Sequence, residues 1–141
     1  MTILFEGVNL SLTQRDHACV ELRFDAAQGS ANIFNHQTSQ DLTQALDYLQ
    51  ARQADIAGLL ITSGKSGFIA GADINEFGPV FSQGPEKVAD MLDASNRNFN
   101  RLEDLTMPSV VAINGYALGG GCEFCLACDY RIGTQSTRIG L

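Results

Sequence analysis

Two short stretches near the start of the chain alternate between apolar and polar residues. The apolar positions, which all fall on one side of an extended chain, are Val8, Leu10, Leu12, Val20, Leu22 and Phe24. Because successive side chains of a strand point to opposite faces, this alternation predicts two strands, each with one buried face. The polar segment TQRDH separates them, which predicts a β-hairpin.

Two later segments repeat apolar residues every three or four positions, which is the pattern of a helix packed along one side. In the first, with Thr38 or Ser39 as its expected N-cap, these residues are Leu42, Ala45, Leu46 and Leu49. The second begins near Pro85, since proline suits a first helical turn, and ends before Pro108. Its inward-facing stripe is predicted to contain Val88, Met91, Leu92, Ser95, Phe99 and Leu102.

Four further segments complete the expected fold. AGLLITS (57–63) is an apolar run of strand length, typical of a strand covered on both faces by helices, and SVVAIN (109–114) predicts the next buried strand. CEFCLAC (122–128) has no β-branched residue and predicts a short buried helix, whereas RIGTQSTRIGL (131–141) predicts strand. Strands that alternate with helices indicate an α/β fold with a substantially parallel sheet. Because the chain stops at the apolar Leu141, we expect it to be cut from a longer domain.

The composition is globular, with 141 residues of which 45% are hydrophobic and 18% charged, and this length predicts one domain. A net charge of −7 without a Lys/Arg run argues against a nucleic-acid partner, whose binding needs clustered cations. No apolar run reaches the roughly 18 residues that span a bilayer. The start MTILFEGVNLSL lacks the cations of a signal peptide, so we expect a cytoplasmic protein with reduced thiols.

Three of the four cysteines form the pattern C-x2-C-x2-C at Cys122, Cys125 and Cys128. This is how a bacterial ferredoxin motif opens, but the fourth cysteine that the motif requires is replaced by Ile132. The remaining cysteine, Cys19, is distant in sequence. The pattern therefore favours small buried residues packed beside glycines over an iron–sulfur cluster, and we expect no metal.

Glu123 is the only charged residue within the apolar run CEFCLAC. Its neighbours predict that the carboxylate is buried, and a buried carboxylate with a perturbed pKa is a candidate catalytic group. A structural ion pair with an Arg or Lys elsewhere in the chain is the alternative.

Two bends rich in small residues lead into predicted helices. Gly120 lies in the first, and N–H groups at a helix start are free to bind a developing negative charge. The second bend contains Ala72, followed by Asp73 and Glu76 with the spacing of a capping box. The favoured interpretation of Asp73 is a helix cap that fixes the Ala72 N–H in place.

The motifs FIAGADINEF (68–77) and NGYALGGGCE (114–123) resemble those of the crotonases, the enoyl-CoA hydratase/isomerase superfamily. The resemblance covers nearly the whole chain, is weakest between 13 and 56, and over 99–141 is greatest to the alpha subunits of bacterial fatty-acid oxidation complexes. It implies a crotonase-like (ClpP/crotonase) ββα spiral. Residues 1–141 would be the N-terminal part of that domain, ending before a second catalytic glutamate, which in relatives follows RIGL in a Pro-Glu pair.

The resemblance also implies roles for individual residues. The N–H groups of Ala72 and Gly120 would bind the thioester oxygen, and Glu123 would hold and activate the water added at the β-carbon. Backbone around the second bend would curl round coenzyme A, and the substrate-binding residues implied there are Phe68, Ala70, Gly71 and Asp73.

The function that these features predict is hydration of 2-enoyl-CoA and double-bond isomerisation in fatty-acid β-oxidation, with little activity in this piece alone. A non-catalytic acyl-CoA-binding or scaffold fragment is the alternative, and other crotonase chemistries share the same bends. The coenzyme A thioester is substrate, so no cofactor is expected in this segment. NAD would serve only a 3-hydroxyacyl-CoA dehydrogenase portion of a longer parent. The expected partners are further copies of the chain or a thiolase beta subunit.

Overall fold

The computed structural model describes residues 1–141, which form eight strands and four α-helices. The strands are β1 (Thr2–Glu6), β2 (Leu10–Gln14), β3 (Cys19–Phe24), β4 (Gly58–Ser63), β5 (Ser109–Ile113), β6 (Tyr116–Leu118), β7 (Tyr130–Gly133) and β8 (Arg138–Gly140). The helices are α1 (His36–Arg52), α2 (Phe77–Phe81), α3 (Pro85–Glu103) and α4 (Gly120–Leu126). None of these helices is both long and apolar enough to cross a membrane.

Six strands form the main sheet in the order β1-β2-β3-β4-β5-β7, and β6 pairs with β8 in a separate small sheet. The first three strands are antiparallel, whereas β3, β4, β5 and β7 run parallel to one another. The predicted hairpin is confirmed, with Leu12 opposite Leu22. The parallel-rich sheet confirms the α/β class. Strand β1 was not predicted, and Val8 lies outside the strands with 54% of its surface exposed.

One face of the main sheet carries the hydrophobic core. Leu59 and Ile61 of β4 are buried in it together with the predicted inward residues of α1. Leu60, between them, points to the other face and is 37% exposed. The prediction that β4 is covered on both faces is therefore wrong at Leu60, whose side of the strand is partly open to solvent.

Helix α1 begins one turn earlier than the predicted caps. Asn35 is the N-cap, and its side-chain oxygen accepts the Thr38 N–H at 2.8 Å. Thr38 is buried inside the first turn, so the assignment of Thr38 or Ser39 as cap is wrong. Asn is as good a cap as Ser or Thr, and the local sequence offered all three.

Helix α3 begins at Pro85, as predicted, but its apolar stripe is buried only near the C-terminal end. Leu102 is in the core, whereas Leu92 is 53% exposed. Arg101 binds Asp47 of α1 in an ion pair at 2.5 Å, which fastens the same end of the helix. The N-terminal half instead contacts α2 and borders a large cavity.

The C-terminal third of the chain agrees with the sequence pattern. CEFCLAC lies mostly in α4, with Cys122, Phe124 and Cys125 buried. RIGTQSTRIGL contributes most of β7 and all of β8. The Gly119 N–H donates to Gly140 O at 2.9 Å, so β8 reaches the start of α4.

Candidate active site

Three extended pieces of chain lie side by side where the two predicted bends meet. Ile69 bridges to Ala117 of β6, and the Leu118 N–H donates to Ile69 O at 3.0 Å. On the opposite side, Ala72 bridges to Phe34. The bend at 69–73 is therefore held between Phe34 and β6, so the two motifs that the sequence singled out are neighbours in space.

Glycines make this close approach possible. Gly71 has a φ of +107°, and a Cβ on it would lie 3.2 Å from Leu118 O. Gly119 has a φ of +54°, and a Cβ there would lie 3.8 Å from Gly71 Cα. Both positions favour glycine because their backbone conformation is rarely adopted by other residues.

The N–H of Ala72 has a defined direction. Gly71 O accepts the Phe34 N–H at 2.8 Å, and in a trans peptide the oxygen and the following N–H point to opposite sides. The Ala72 N–H therefore points away from Phe34, toward the side where Gly119 lies, and it donates no hydrogen bond within the chain.

The N–H of Gly120 is free as well. Gly120 is the first residue of α4, and the first bond in the helix pattern runs from the Glu123 N–H to Gly119 O at 3.0 Å. The initial N–H groups of a helix have no partner inside it. The two bends thus present two unpaired N–H donors, an arrangement that can bind a negatively charged oxygen.

Glu123 lies one turn into α4 and turns back over the start of the helix. A Cβ on Gly120 would lie 3.9 Å from Glu123 Oε2. The residue is exposed rather than buried, so the predicted burial is wrong. None of the four ion pairs of the chain involves it, which also removes the alternative interpretation.

The error about Glu123 comes from helix geometry. Its immediate neighbours Cys122 and Phe124 are buried, but residues next to each other on a helix are separated by about 100° of rotation. Glu123 and Leu126 share the outward side of α4. The carboxylate faces a cavity of about 670 Å³, whose wall it forms together with Ala72 and Gly120.

The cavity contains some of the predicted site residues but not others. Asp73 lines it, whereas Phe68, Ala70 and Gly71 do not. The Phe68 side chain is 0% exposed, and its N–H donates to Tyr116 O at 3.0 Å. The backbone N–H of Phe68 is therefore already used in a hydrogen bond within the fold.

Asp73 is a helix cap, as predicted. Its Oδ1 accepts the Asn75 N–H at 2.9 Å at the start of a short 3-10 turn. The reciprocal half of the capping box is absent, because the Asp73 N–H donates to Phe34 O at 3.1 Å. Glu76 Oε1 instead accepts the His36 N–H at 3.0 Å and so supports the start of α1.

Asn32 is an important residue that the sequence pattern did not identify. It is 3% exposed, and its Nδ2 donates to Phe68 O and to Ser63 Oγ, both at 2.9 Å. The backbone carbonyl oxygen of Asn32 accepts the Ala70 N–H at 2.9 Å. Asn32 therefore fixes the start of the 68–73 bend. Its position in the polar loop SANIFN was the only signal in the sequence.

The three clustered cysteines are buried, which confirms that they are core residues. Burial raises the pKa of the Cys125 and Cys128 thiols to about 12 each, so both are protonated at neutral pH. No three side chains among His, Cys, Asp and Glu are grouped so that they could hold a metal ion. Cys122 and Cys125 lie on the inner side of α4, and Cys128 is buried just after the helix ends.

The sheet and the two bends place the chain among proteins of the crotonase fold. The sequence profile described as enoyl-CoA hydratase/isomerase matches residues 16–141, so the chain belongs to that family. A curated relative, the fatty acid oxidation complex subunit alpha of Acinetobacter baumannii (strain AYE), is 50% identical over 121 residues. The match covers 86% of this chain but only 17% of that protein.

Solved structures support the same fold. Enoyl-CoA hydratase from Bacillus anthracis superimposes with a TM-score of 0.81 at 28% identity, over 93% of this chain and 49% of that one. An enoyl-CoA hydratase/carnithine racemase from Magnetospirillum magneticum has a TM-score of 0.86 at 22% identity, over 98% of this chain and 50% of that one. The chain thus spans about half of the solved chains that it resembles.

Proposed function

We propose that the site binds the thioester group of a 2-enoyl-CoA and serves enoyl-CoA hydration and double-bond isomerisation in fatty-acid oxidation. The observation that carries this proposal is the meeting of two unpaired N–H donors, of Ala72 and Gly120, beside the Glu123 carboxylate. The family membership and the name of the Acinetobacter relative support it.

The two N–H donors act on the thioester oxygen. Addition of water across a conjugated thioester moves electron density onto the carbonyl oxygen, which becomes an enolate oxygen in the transition state. Donors that are already oriented stabilise that charge, by about 3 kcal/mol each in comparable sites. Phe34 forms hydrogen bonds with Gly71 O and with the Asp73 N–H, on either side of Ala72. These bonds hold the Ala72 peptide in place, so its N–H needs no rearrangement to bind the oxygen.

Glu123 acts on the water. Its exposure to the cavity lets a water molecule reach the carboxylate, which is required of a group that activates a solvent nucleophile. The carboxylate lies over Gly120, so the water that it orients would be close to an acyl chain whose carbonyl is bound at the Gly120 N–H. A positioned general base of this kind contributes about 10²- to 10⁴-fold to a rate.

Protonation of the α-carbon needs a second acid. Asp73, Glu76 and Asp90 also line the cavity, and Asp73 and Glu76 already accept hydrogen bonds from the N–H groups of Asn75 and His36 respectively. The similarity to longer relatives leads us to assign this acid to the additional chain that they possess outside the matched residues. The same similarity leads us to propose a subunit of a fatty-oxidation complex as the setting, with a thiolase subunit as partner and NAD used only by a separate dehydrogenase portion.

The 68–73 bend supplies the contact with coenzyme A. Ala70 is exposed, and Asp73 reaches the cavity, whereas Phe68 contributes through its position in the core rather than through direct contact. No resident cofactor is required for this chemistry, because the thioester itself is the substrate.

The test combines binding with turnover. Crotonyl-CoA is titrated into the chain by calorimetry, and hydration is followed as loss of the conjugated-thioester absorbance. Because the second acid is assigned to chain beyond the matched residues, binding with little or no hydration is the result expected of this chain alone, and hydration by a chain extended to include that acid supports the full proposal. Absence of any binding contradicts it.

A second candidate function is acyl-CoA binding without chemistry. The hydrogen bonds that Asp73 and Glu76 accept favour this candidate. Neither carboxylate of this segment is then free to act as the second acid next to Glu123. Binding without hydration even by the extended chain supports this candidate. Measurable hydration by the chain excludes it.

A further inference from the structure

Phe34 contacts both of the bends that carry unpaired N–H groups. Its own N–H donates to Gly71 O at 2.8 Å, and its carbonyl oxygen accepts the Asp73 N–H at 3.1 Å. These two bonds enclose Ala72, and rotation of the Ala72 peptide would break the first of them. The main chain of Phe34 therefore sets the direction of the Ala72 donor.

The ring of the same residue lies against the other donor. A Cβ on Gly120 would lie 3.3 Å from Phe34 Cδ2 and 3.9 Å from Phe34 Cε2, so the ring covers the Gly120 Cα. The first residue of α4 thus cannot shift toward Phe34 without meeting the ring.

Other aromatic rings hold the Phe34 ring in place. Its centroid lies 6.1 Å from that of Phe24, 5.8 Å from that of Phe99 and 6.0 Å from that of Phe124. Phe24 and Phe124 are fully buried, and Phe124 belongs to α4 itself. The Phe34 ring therefore packs between the sheet, α3 and α4, and it contacts the start of α4.

We infer that Phe34 is a positioning residue that sets the separation of the Ala72 and Gly120 N–H groups. The inference rests on the proposed function, since the separation matters only if both donors bind one oxygen. Removal of the ring frees the start of α4 to move toward the vacated volume. Gly120 then moves away from the point at which both donors can reach the same oxygen, whereas the backbone bonds of Phe34 still hold Ala72.

The experiment measures polarisation of a bound carbonyl, which does not depend on turnover. Cinnamoyl-CoA is a conjugated thioester, and its absorption band moves to longer wavelength when its carbonyl oxygen accepts strong hydrogen bonds. The band is recorded with the unmodified chain and with Phe34→Ala, Phe34→Leu and Phe99→Ala, at saturating protein in each case. Circular dichroism melting verifies that each variant is folded.

We expect Phe34→Ala to lose at least half of the band shift and Phe34→Leu to lose less, because leucine retains part of the contact with Gly120. Phe99→Ala removes a ring from the same cluster but leaves the Phe34 ring itself beside Gly120, so it should lose less of the shift than Phe34→Ala. An undiminished shift in Phe34→Ala overturns the inference. Equal losses in Phe34→Ala and Phe99→Ala also overturn it, because they indicate general loosening of the cluster.

A ligand-free measurement separates this inference from the proposed function. Gly120→Ala forces a Cβ against the ring, so its cost in urea unfolding should be smaller when Phe34 is already leucine. Additive costs in the double variant contradict the packing on which the inference depends. Absence of a band shift in the unmodified chain, with non-additive unfolding costs, instead contradicts the oxyanion function and leaves the contact between Phe34 and Gly120 supported.

Discussion

The side-chain amide of Asn98 donates a hydrogen bond to the hydroxyl of Thr43, with 3.0 Å between Nδ2 and Oγ1. This bond crosses the interface between α3 and α1. The same amide reaches Ser39 O at 3.3 Å, and Asn98 is only 6% exposed. Since Asn98 also lines the cavity, this contact connects the stability of the α1–α3 pair to the shape of the site.

Asn98→Ala should lower the free energy of unfolding by about 1 to 3 kcal/mol, because it removes the two hydrogen bonds that this buried amide donates to the half-buried Thr43 and Ser39. Urea denaturation measures this loss. Asn100→Ala is the matched control, since Asn100 is exposed on the same helix, and it should change stability by about 0.5 kcal/mol or less. Equal losses in the two variants would show that the Asn98 contacts do not stabilise the interface.

Glu123→Gln should reduce any hydratase rate by about 10²- to 10⁴-fold with little effect on binding of crotonyl-CoA, because the amide keeps the shape but cannot act as a base. The measurement is the rate of absorbance loss at saturating substrate, beside a calorimetric titration. Glu103→Gln provides the control, since Glu103 is an exposed residue at the end of α3. A normal rate in Glu123→Gln would remove this residue from the mechanism.

Gly71→Ala should destabilise the bend by about 1 to 3 kcal/mol, since the position has a φ of +107° and a Cβ would press on Leu118 O at 3.2 Å. Thermal unfolding and crotonyl-CoA titration test the substitution, and both stability and binding should decline. In the control Gly67→Ala, the new Cβ would have an ordinary contact of 3.7 Å with Tyr116 N, so both properties should be kept. Retained binding by Gly71→Ala would show that the bend tolerates a side chain.

The contacts of Glu21 predict that the free energy of unfolding depends on pH. Burial by itself would raise the pKa of this carboxyl, but the hydrogen bond from Thr62 and the interactions with Arg15 outweigh burial and lower the pKa below its ordinary value of 4.5. The folded state therefore favours the charged form. Its stabilising contribution is complete above about pH 4.5 and is lost as the pH falls through the lower folded-state pKa.

The check is urea unfolding at a series of pH values between neutral and strongly acidic. Glu21→Gln should be less stable than the unmodified chain at neutral pH and should lose less stability on acidification. Glu103→Gln should follow the unmodified chain. Parallel curves for Glu21→Gln and the unmodified chain would contradict the assigned contribution of Glu21.

The pKa of about 12 for the thiols of Cys125 and Cys128 predicts slow alkylation. Only the thiolate reacts readily, so iodoacetamide at pH 8 should leave both residues unmodified in the folded chain while labelling the partly exposed Cys19. Peptide mass spectrometry identifies the labelled positions. Unfolding in urea should make all four cysteines react, and rapid labelling of Cys125 in the folded chain would contradict its burial.

The agreement between sequence and fold is greatest where the evidence is local. The hairpin of β2 and β3, the start of α3 at Pro85 and the short helix α4 follow from side-chain periodicity and from the φ preference of proline, which act within a few residues. The bends at Ala72 and Gly120 were also identified from sequence, because glycine and alanine there permit close approach of two backbones.

Contacts between distant residues account for what the sequence missed. Its local pattern did not show that Glu76 would support the start of α1, or that Asn32 would fix the 68–73 bend, because both partners come from other parts of the chain. The direction of Glu123 was predicted incorrectly for a related reason. Apolar neighbours in sequence indicate that a helix is buried somewhere, but only its packing shows which side faces inward.

The sequence by itself determined the α/β class, the positions of most strands and helices, and the two bends with a carboxylate nearby. These features depend on the period of hydrophobic residues and on the conformational freedom of glycine, which are properties of short segments. Only the tertiary structure decided that Ala72 and Gly120 face the same cavity, that Glu123 is open to it, and that Phe34 holds both bends. Those relationships depend on hydrogen bonds and packing between segments far apart in the chain, whose geometry no local pattern contains.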